Sequence, residues 1–185
     1  MQDAATSRPG LLAALSRVND VMLLACKWVS IALVAAVAMI VIASVIFRYV
    51  LNDSIAWAED AAKFLMVWLA FIGAPLGFRH GAHVAIELLP PGLPPVLKRA
   101  VRFLVHAIVL MLMMMLAWQS WLFALNGWAQ VALTVGDISM FWIFLSMPIG
   151  AAIMAMTALE LLLMTLLGLP EPKIADDETI LTQGM

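Results

Sequence analysis

Charge is scarce in this chain: 12% of its 185 residues are Asp, Glu, Lys or Arg, about half the share usual in a soluble domain. So few ionised groups cannot cover a globular surface, which excludes a water-soluble domain as the main body. Cysteine is nearly absent. The single residue, Cys26, rules out an internal disulfide and reads as a small apolar side chain near a helix start. The formal net charge of −2 gives no basis for nucleic acid as a partner. Glycine-rich phosphate loops, nucleophile motifs and paired carboxylates in a pocket are also missing, so no catalytic residue is assigned. The three histidines, His80, His83 and His106, do not provide the matched pairs on different helices that a membrane cytochrome needs, because only His106 falls within a span. His80 and His83, beside a turn, read as a solvated interface rather than a metal site. Met111, Met113, Met114 and Met115 cover several helix faces, which suits packing and lipid contact better than copper ligation. The chain is expected to bind no cofactor and no metal.

Apolar sequence is what the chain has in abundance. Hydrophobic residues make up 65%, and the mean hydropathy is +1.04. About 20 apolar residues at 1.5 Å each cross a hydrocarbon core of roughly 30 Å. The length therefore allows roughly four or five crossings and leaves no room for a separate soluble domain.

Residues 1–10 are polar and expected to be flexible. Leu11, Leu12, Leu15, Val18, Met22 and Leu23 then recur near helical spacing, opposite Ser16, Asp20 and Lys27, which predicts an N-terminal interfacial helix. Trp28 to Phe47 is a run of twenty uncharged residues and forms the first span (28–47). It is longer than the apolar core of a signal peptide and starts late, so it is expected to be retained. Asn52, Asp53 and Ser54 reverse the chain and start the second helix near Ser54. Phe64 to Phe78 alone would cover only about 22 Å, so the second span (54–78) also takes in Trp57, Glu59, Asp60 and Lys63. Pro90, Pro91, Gly92, Pro94 and Pro95 make a stiff loop. Lys98, Arg99 and Arg102 form a basic collar before the third span (103–125). A connection with Gly127, Gly136 and Asp137 leads to the fourth (140–162), which Pro148 and Gly150 should bend. The predicted fold is an all-α integral membrane protein with four transmembrane helices, an N-terminal interfacial helix and short connections. Its membrane domain covers 11–165, and 166–185 is a polar tail.

Lys and Arg are unevenly placed around these spans. Arg8, Arg17 and Lys27 precede the first, and Arg79, Lys98, Arg99 and Arg102 flank the second connection, against Arg48 and Lys63 at the first and none at the third. The positive-inside rule then puts both termini in the cytoplasm, with Trp28, Trp57, Trp128 and Trp142 near span ends as an aromatic belt. In a hairpin, Arg48 and Glu59 reach similar depth, so Arg48 could pair with Glu59 or Asp60; alternatively Glu59 and Lys63, four residues apart, pair on one helix. Near an interface such groups are more often structural or subunit contacts than an ion relay.

The same residues resemble a family. Arg48-Tyr49 at the end of the first span, followed by Asn52, Ser54 and Ile55, is similar to the corresponding stretch of the small membrane subunit of TRAP transporters, the tripartite ATP-independent periplasmic solute carriers. Trp57, Glu59 and Asp60 resemble its Trp-x-acid-acid motif, with Asp60 where Glu is commoner. Trp68, Gly73 and Ala74, then Arg79, His83, Val84 and Glu87, continue the pattern, with Glu87 where Asp is frequent. Pro148-Ile149-Gly150 is similar to its Pro-Ile-Gly. The resemblance covers about residues 12–165. It implies a non-catalytic scaffold subunit in the bacterial inner membrane, surrounded by lipid and packed against a large multi-span permease subunit. That partner would carry solute and sodium, and a periplasmic solute-binding protein would deliver an organic acid to the pair. Arg48, Trp57, Glu59, Asp60, Trp68, Arg79, His83 and Glu87 are then the candidates for interface and stability. Two other classes fit the composition: a self-sufficient small transporter or channel, and a membrane subunit of a redox complex.

Overall fold

A computed structural model describes residues 10–87, 94–132 and 138–168; for residues 11, 80–87 and 95 it describes the backbone alone. The polar start ahead of Gly10, most of the proline loop (Pro90, Pro91 and Gly92), Gly136, Asp137 and the tail beyond Gly168 lie outside the described residues.

Four long helices dominate: α1 (Gly10–Tyr49), α2 (Ala58–Glu87), α3 (Pro95–Asn126) and α5 (Ser146–Leu167), with a single turn, α4 (Phe141–Phe144), just ahead of α5. Each of the four is long and apolar enough to cross a membrane. The 40 residues of α1 extend about 60 Å, twice the hydrocarbon thickness. Among the described residues the helix runs unbroken from Gly10 into the first span. Leu12, Ser16, Asn19, Leu23 and Cys26 are buried at helical spacing, so this segment packs on protein.

Asn52 adopts a positive φ of 52° in the turn after α1, a conformation its short polar side chain tolerates. The second helix starts at Ala58, beyond the expected Ser54, and continues past Phe78 to Glu87. Pro75 lies inside it and is fully buried. Proline has no N–H for the carbonyl four residues back, so Phe71 O loses its helical partner. Pro148 does the same to Phe144 O, and the helix is interrupted there, at Leu145 between α4 and α5. This interruption lies one turn ahead of the proline, and Leu145 itself keeps helical dihedrals, φ −60° and ψ −23°.

The connection from α3 to α4 holds a 3-10 turn (Gly127–Ala129) and two antiparallel two-residue strands, β1 (Val131–Ala132) and β2 (Ile138–Ser139), paired Val131 with Ser139. Trp128 stacks on Phe141 at 4.4 Å, and the Ser139 hydroxyl donates to Gly127 O at 3.1 Å. Together they fold this end over the start of α4.

The central helix is α5. It packs on α3, α2 and α1; α1 also packs on α2, whereas α3 makes no substantial contact with α1 or α2. The helices therefore form a layer around α5 rather than a closed bundle. In the most apolar stretch of α5, 61% of residues are buried, against 0% for α1 and 6% for α3. Such exposure costs little in lipid, where tails are as apolar as leucine.

Candidate functional site

An apolar cluster of Leu23, Cys26, Ile72 and Ile153 joins α1, α2 and α5, with Trp68, Met22, Leu76 and Ile149 packed against it. A step of seven residues returns to nearly the same face of a helix. Seven residues from Cys26, Ile72 and Ile153 stand Asn19, Arg79 and Glu160, so the layer next to the apolar cluster is polar. Asn19 is 0% exposed and Glu160 1%. The Asn19 amide donates to Glu160 Oε2 in a short hydrogen bond. The Thr157 hydroxyl donates to Asn19 Oδ1 at 3.1 Å and lies 3.1 Å from Ile153 O. Arg79 Nη2 meets Asp20 Oδ1 at 2.8 Å, the guanidinium largely buried and the carboxylate half exposed. Burying a carboxylate is expensive unless other groups satisfy it, so this layer is the least generic feature of the interior.

A second polar contact ties α3 to the end of α5. Arg99 Nε donates to Thr165 O at 3.1 Å, and its Nη2 donates to Leu166 O in a short hydrogen bond. Buried His106 lies with Nδ1 3.3 Å from the Thr165 hydroxyl. Gly168, at φ +67°, closes α5 in the left-handed conformation, and its N–H returns to Met164 O and Thr165 O. The last carbonyls of α5, which carry the negative end of its dipole, thus face a cation.

The third close approach involves backbone. A Cβ on Gly150 would sit 2.3 Å from Phe71 O, the carbonyl that Pro75 leaves free. Glycine lets α5 reach α2 there, and its Cα–H is placed against that oxygen.

The six candidate residues whose side chains are described, Arg48, Trp57, Glu59, Asp60, Trp68 and Arg79, do not come together in one place. Arg48 is exposed at the end of α1 and Trp57 is half exposed ahead of α2. Lys63, rather than Arg48, takes both acids, with Nζ 2.9 Å from Glu59 Oε1 and 3.3 Å from Asp60 Oδ1. The pairing along α2 is the one that forms. Trp68 packs on the apolar cluster and Arg79 enters the polar layer. The side chains of His83 and Glu87 lie outside the described residues. Among the described residues, no group of three His, Cys, Asp or Glu side chains is arranged to hold a metal ion.

Sequence reasoning missed Asn19, Asp20 as a partner of Arg79, Thr157, Glu160 and Arg99 as a cap. A signal for Glu160 was present: a single acid within the apolar run from Ile138 to Gly168, which in a membrane span marks a group with a partner. No comparable signal marks Asn19 or Thr157.

The family described as tripartite ATP-independent periplasmic transporters, DctQ component, matches residues 37–168. The chain is similar to a protein of Haemophilus influenzae described as a TRAP transporter small permease, 32% identical over 97 residues, which cover 52% of this chain and 60% of that protein. It is 29% identical over 86 residues to the C4-dicarboxylate TRAP transporter small permease protein DctQ of Vibrio cholerae, covering 46% of this chain and 37% of that one. A third match, to the sialic acid TRAP transporter permease protein SiaT of Haemophilus influenzae, is 25% identical over 131 residues, 69% of this chain but 21% of the longer protein.

Proposed function

This chain belongs to the DctQ component family of tripartite ATP-independent periplasmic transporters, and on that premise we propose that it is the small, non-catalytic scaffold subunit of a sodium-driven, binding-protein-dependent uptake transporter for an organic acid. The observation that carries the scaffold role is the contrast in burial: in their most apolar stretches 61% of α5 is buried, against 0% of α1 and 6% of α3. A self-contained carrier would wrap a polar path between its helices. Here the polar layer at Asn19, Thr157 and Glu160 is sealed against an apolar cluster at Leu23, Cys26, Ile72 and Ile153.

The partner is a large multi-span permease subunit that carries the solute and the sodium ions, and this chain binds no cofactor. The match to SiaT supports this reading, since a segment similar to this chain makes up only about a fifth of that permease. A periplasmic binding protein reaches the assembled pair and not this chain alone. The choice of an organic acid follows the names of the dicarboxylate and sialic acid relatives. The setting is the bacterial inner membrane, with both termini cytoplasmic.

Gentle detergent extraction of the tagged chain from its own membranes, followed by mass spectrometry, tests the reading. A much larger multi-span protein should be recovered at near-equal stoichiometry, and the purified chain alone in liposomes should take up no solute. Solute uptake by the chain alone would overturn it.

A further inference from the structure

The polar layer contains two atoms with no partner among the described residues. Glu160 Oε1 and Arg79 Nη1 are each buried and make no hydrogen bond among the described residues. Their neighbouring atoms are engaged, Glu160 Oε2 by Asn19 and Arg79 Nη2 by Asp20. One buried acceptor of negative charge and one buried donor of positive charge are thus left over in the same part of the molecule.

Their relative position follows from the packing of α2 and α5. Gly150 lies against Phe71, and Ile153 shares a cluster with Ile72, so residue numbers on the two helices rise together in the same direction. Continuing that register by a heptad places Arg79 beside the turn of α5 that holds Glu160, on the faces already shown to meet. Asn19 and Asp20, adjacent on α1, reach Glu160 and Arg79 respectively, which brings both to one level from the third side. Among the described residues no ion pair joins Arg79 directly to Glu160; the direct pair of Arg79 is with Asp20. Opposite charges held at one level beyond direct contact, each with an unused hydrogen-bonding atom, are the setting in which ordered water bridges buried groups.

We propose that Glu160 is the buried counter-charge of Arg79, joined to it by ordered water between Oε1 and Nη1, and that this ionic layer sets the register of α1 against α2 and α5. Arg79 then serves two carboxylates, one half exposed on α1 and one enclosed on α5. The inference concerns the interior of this chain and stands independently of its transport partner.

A double-mutant cycle on the full chain in detergent tests it, with thermal midpoints for Glu160→Gln, Arg79→Gln and the double variant. Removing one member of a buried charge pair strands the other. Each single substitution should therefore lower the midpoint by about 5–15 °C, and the double should lose clearly less than the sum. Arg79→Lys, which keeps the charge, should recover part of the loss. Asp20→Asn measures the exposed partner separately and should cost less than Glu160→Gln. Strict additivity of the Arg79 and Glu160 substitutions would overturn the proposal, as would a neutral Glu160→Gln beside a damaging Arg79→Gln. That second result would leave Asp20 as the sole counter-charge. Should the glutamine variants not fold, the same cycle with Glu160→Asp and Arg79→Lys gives smaller shifts that couple or add by the same criterion.

Discussion

At the scale of single residues, the contact of Gly150 with Phe71 shows how two prolines and one glycine shape this membrane domain. Pro75 removes the helical partner of Phe71 O, and α5 comes in over the free oxygen at the one residue type that leaves room for it. Gly150→Val would drive a side chain into backbone, which cannot yield as a flexible side chain can. The expected loss is about 1–3 kcal/mol, read as a fall in thermal midpoint of the detergent-solubilised chain. Gly77, on α2, makes the opposite case, since a Cβ there meets nothing within 4 Å. Gly77→Ala should be neutral or stabilise by about 0.5–1 kcal/mol, because glycine costs backbone entropy in a helix interior. A Gly150→Val variant as stable as Gly77→Ala would show that close approach does not govern Gly150. Proline and glycine in the fourth span mark this region in the sequence, but they read there as a bend. Their effect on packing depends on Phe71, whose carbonyl is free only because of a second proline on another helix.

At the scale of elements, the ends of helices show where sequence informs and where it does not. Asn52 and Ser54 signal the turn between α1 and α2, and the positive φ of Asn52 agrees with that signal. The start of α2 is less legible, because Ser54 has the chemistry of a cap but the helix begins only at Ala58. The polar face at Ser16, Asp20 and Lys27 suggested a helix lying on the membrane surface. In the fold the same segment buries Ser16 and Asn19, and Asn19 and Asp20 meet Glu160 and Arg79, partners far away in sequence. The end of α5 depends on a similar long-range contact. Arg99 supplies donors to Thr165 O and Leu166 O, carbonyls that helix geometry leaves unpaired. Arg99→Ala should therefore fray the last turn of α5 and cost about 1 kcal/mol. Hydrogen exchange should rise at the amides near Gly168, whose N–H closes the turn, while the Gly150 region stays protected. Uniform exchange along α5 would instead assign Arg99 a surface role.

At the scale of the whole molecule, orientation follows from where the charged residues fall once the helices are placed. One end of the layer gathers Arg17, Arg79, Lys98, Arg99 and Arg102, in the first part of α1, the last part of α2, the start of α3 and near the end of α5, with Lys27 further along α1. The other end has Arg48, exposed at the end of α1, and Lys63, held by Glu59 and Asp60. Cationic residues resist translocation, whereas acids contribute little to topology, so the first end should remain in the cytoplasm. Trp28, Trp57, Trp128 and Trp142 are each about half exposed close to the ends of the charge-free stretches, where interfacial aromatic rings settle. A fluorescent reporter that matures only in the cytoplasm should therefore light up when fused after Met185, and a phosphatase active only in the periplasm should work when inserted between Asp53 and Ser54. The sharper test removes the asymmetry: replacing Lys98 and Arg102 by glutamine while adding lysines beside Asn52 should make a measurable fraction of the chains insert the other way round. Arg99 is left in place because it caps α5, so loss of signal would not be confused with loss of fold. If the phosphatase were active after Met185 in the unaltered chain, the basic end would face the periplasm. The polar layer of Asn19, Arg79 and Glu160 would then lie on the side from which solute arrives.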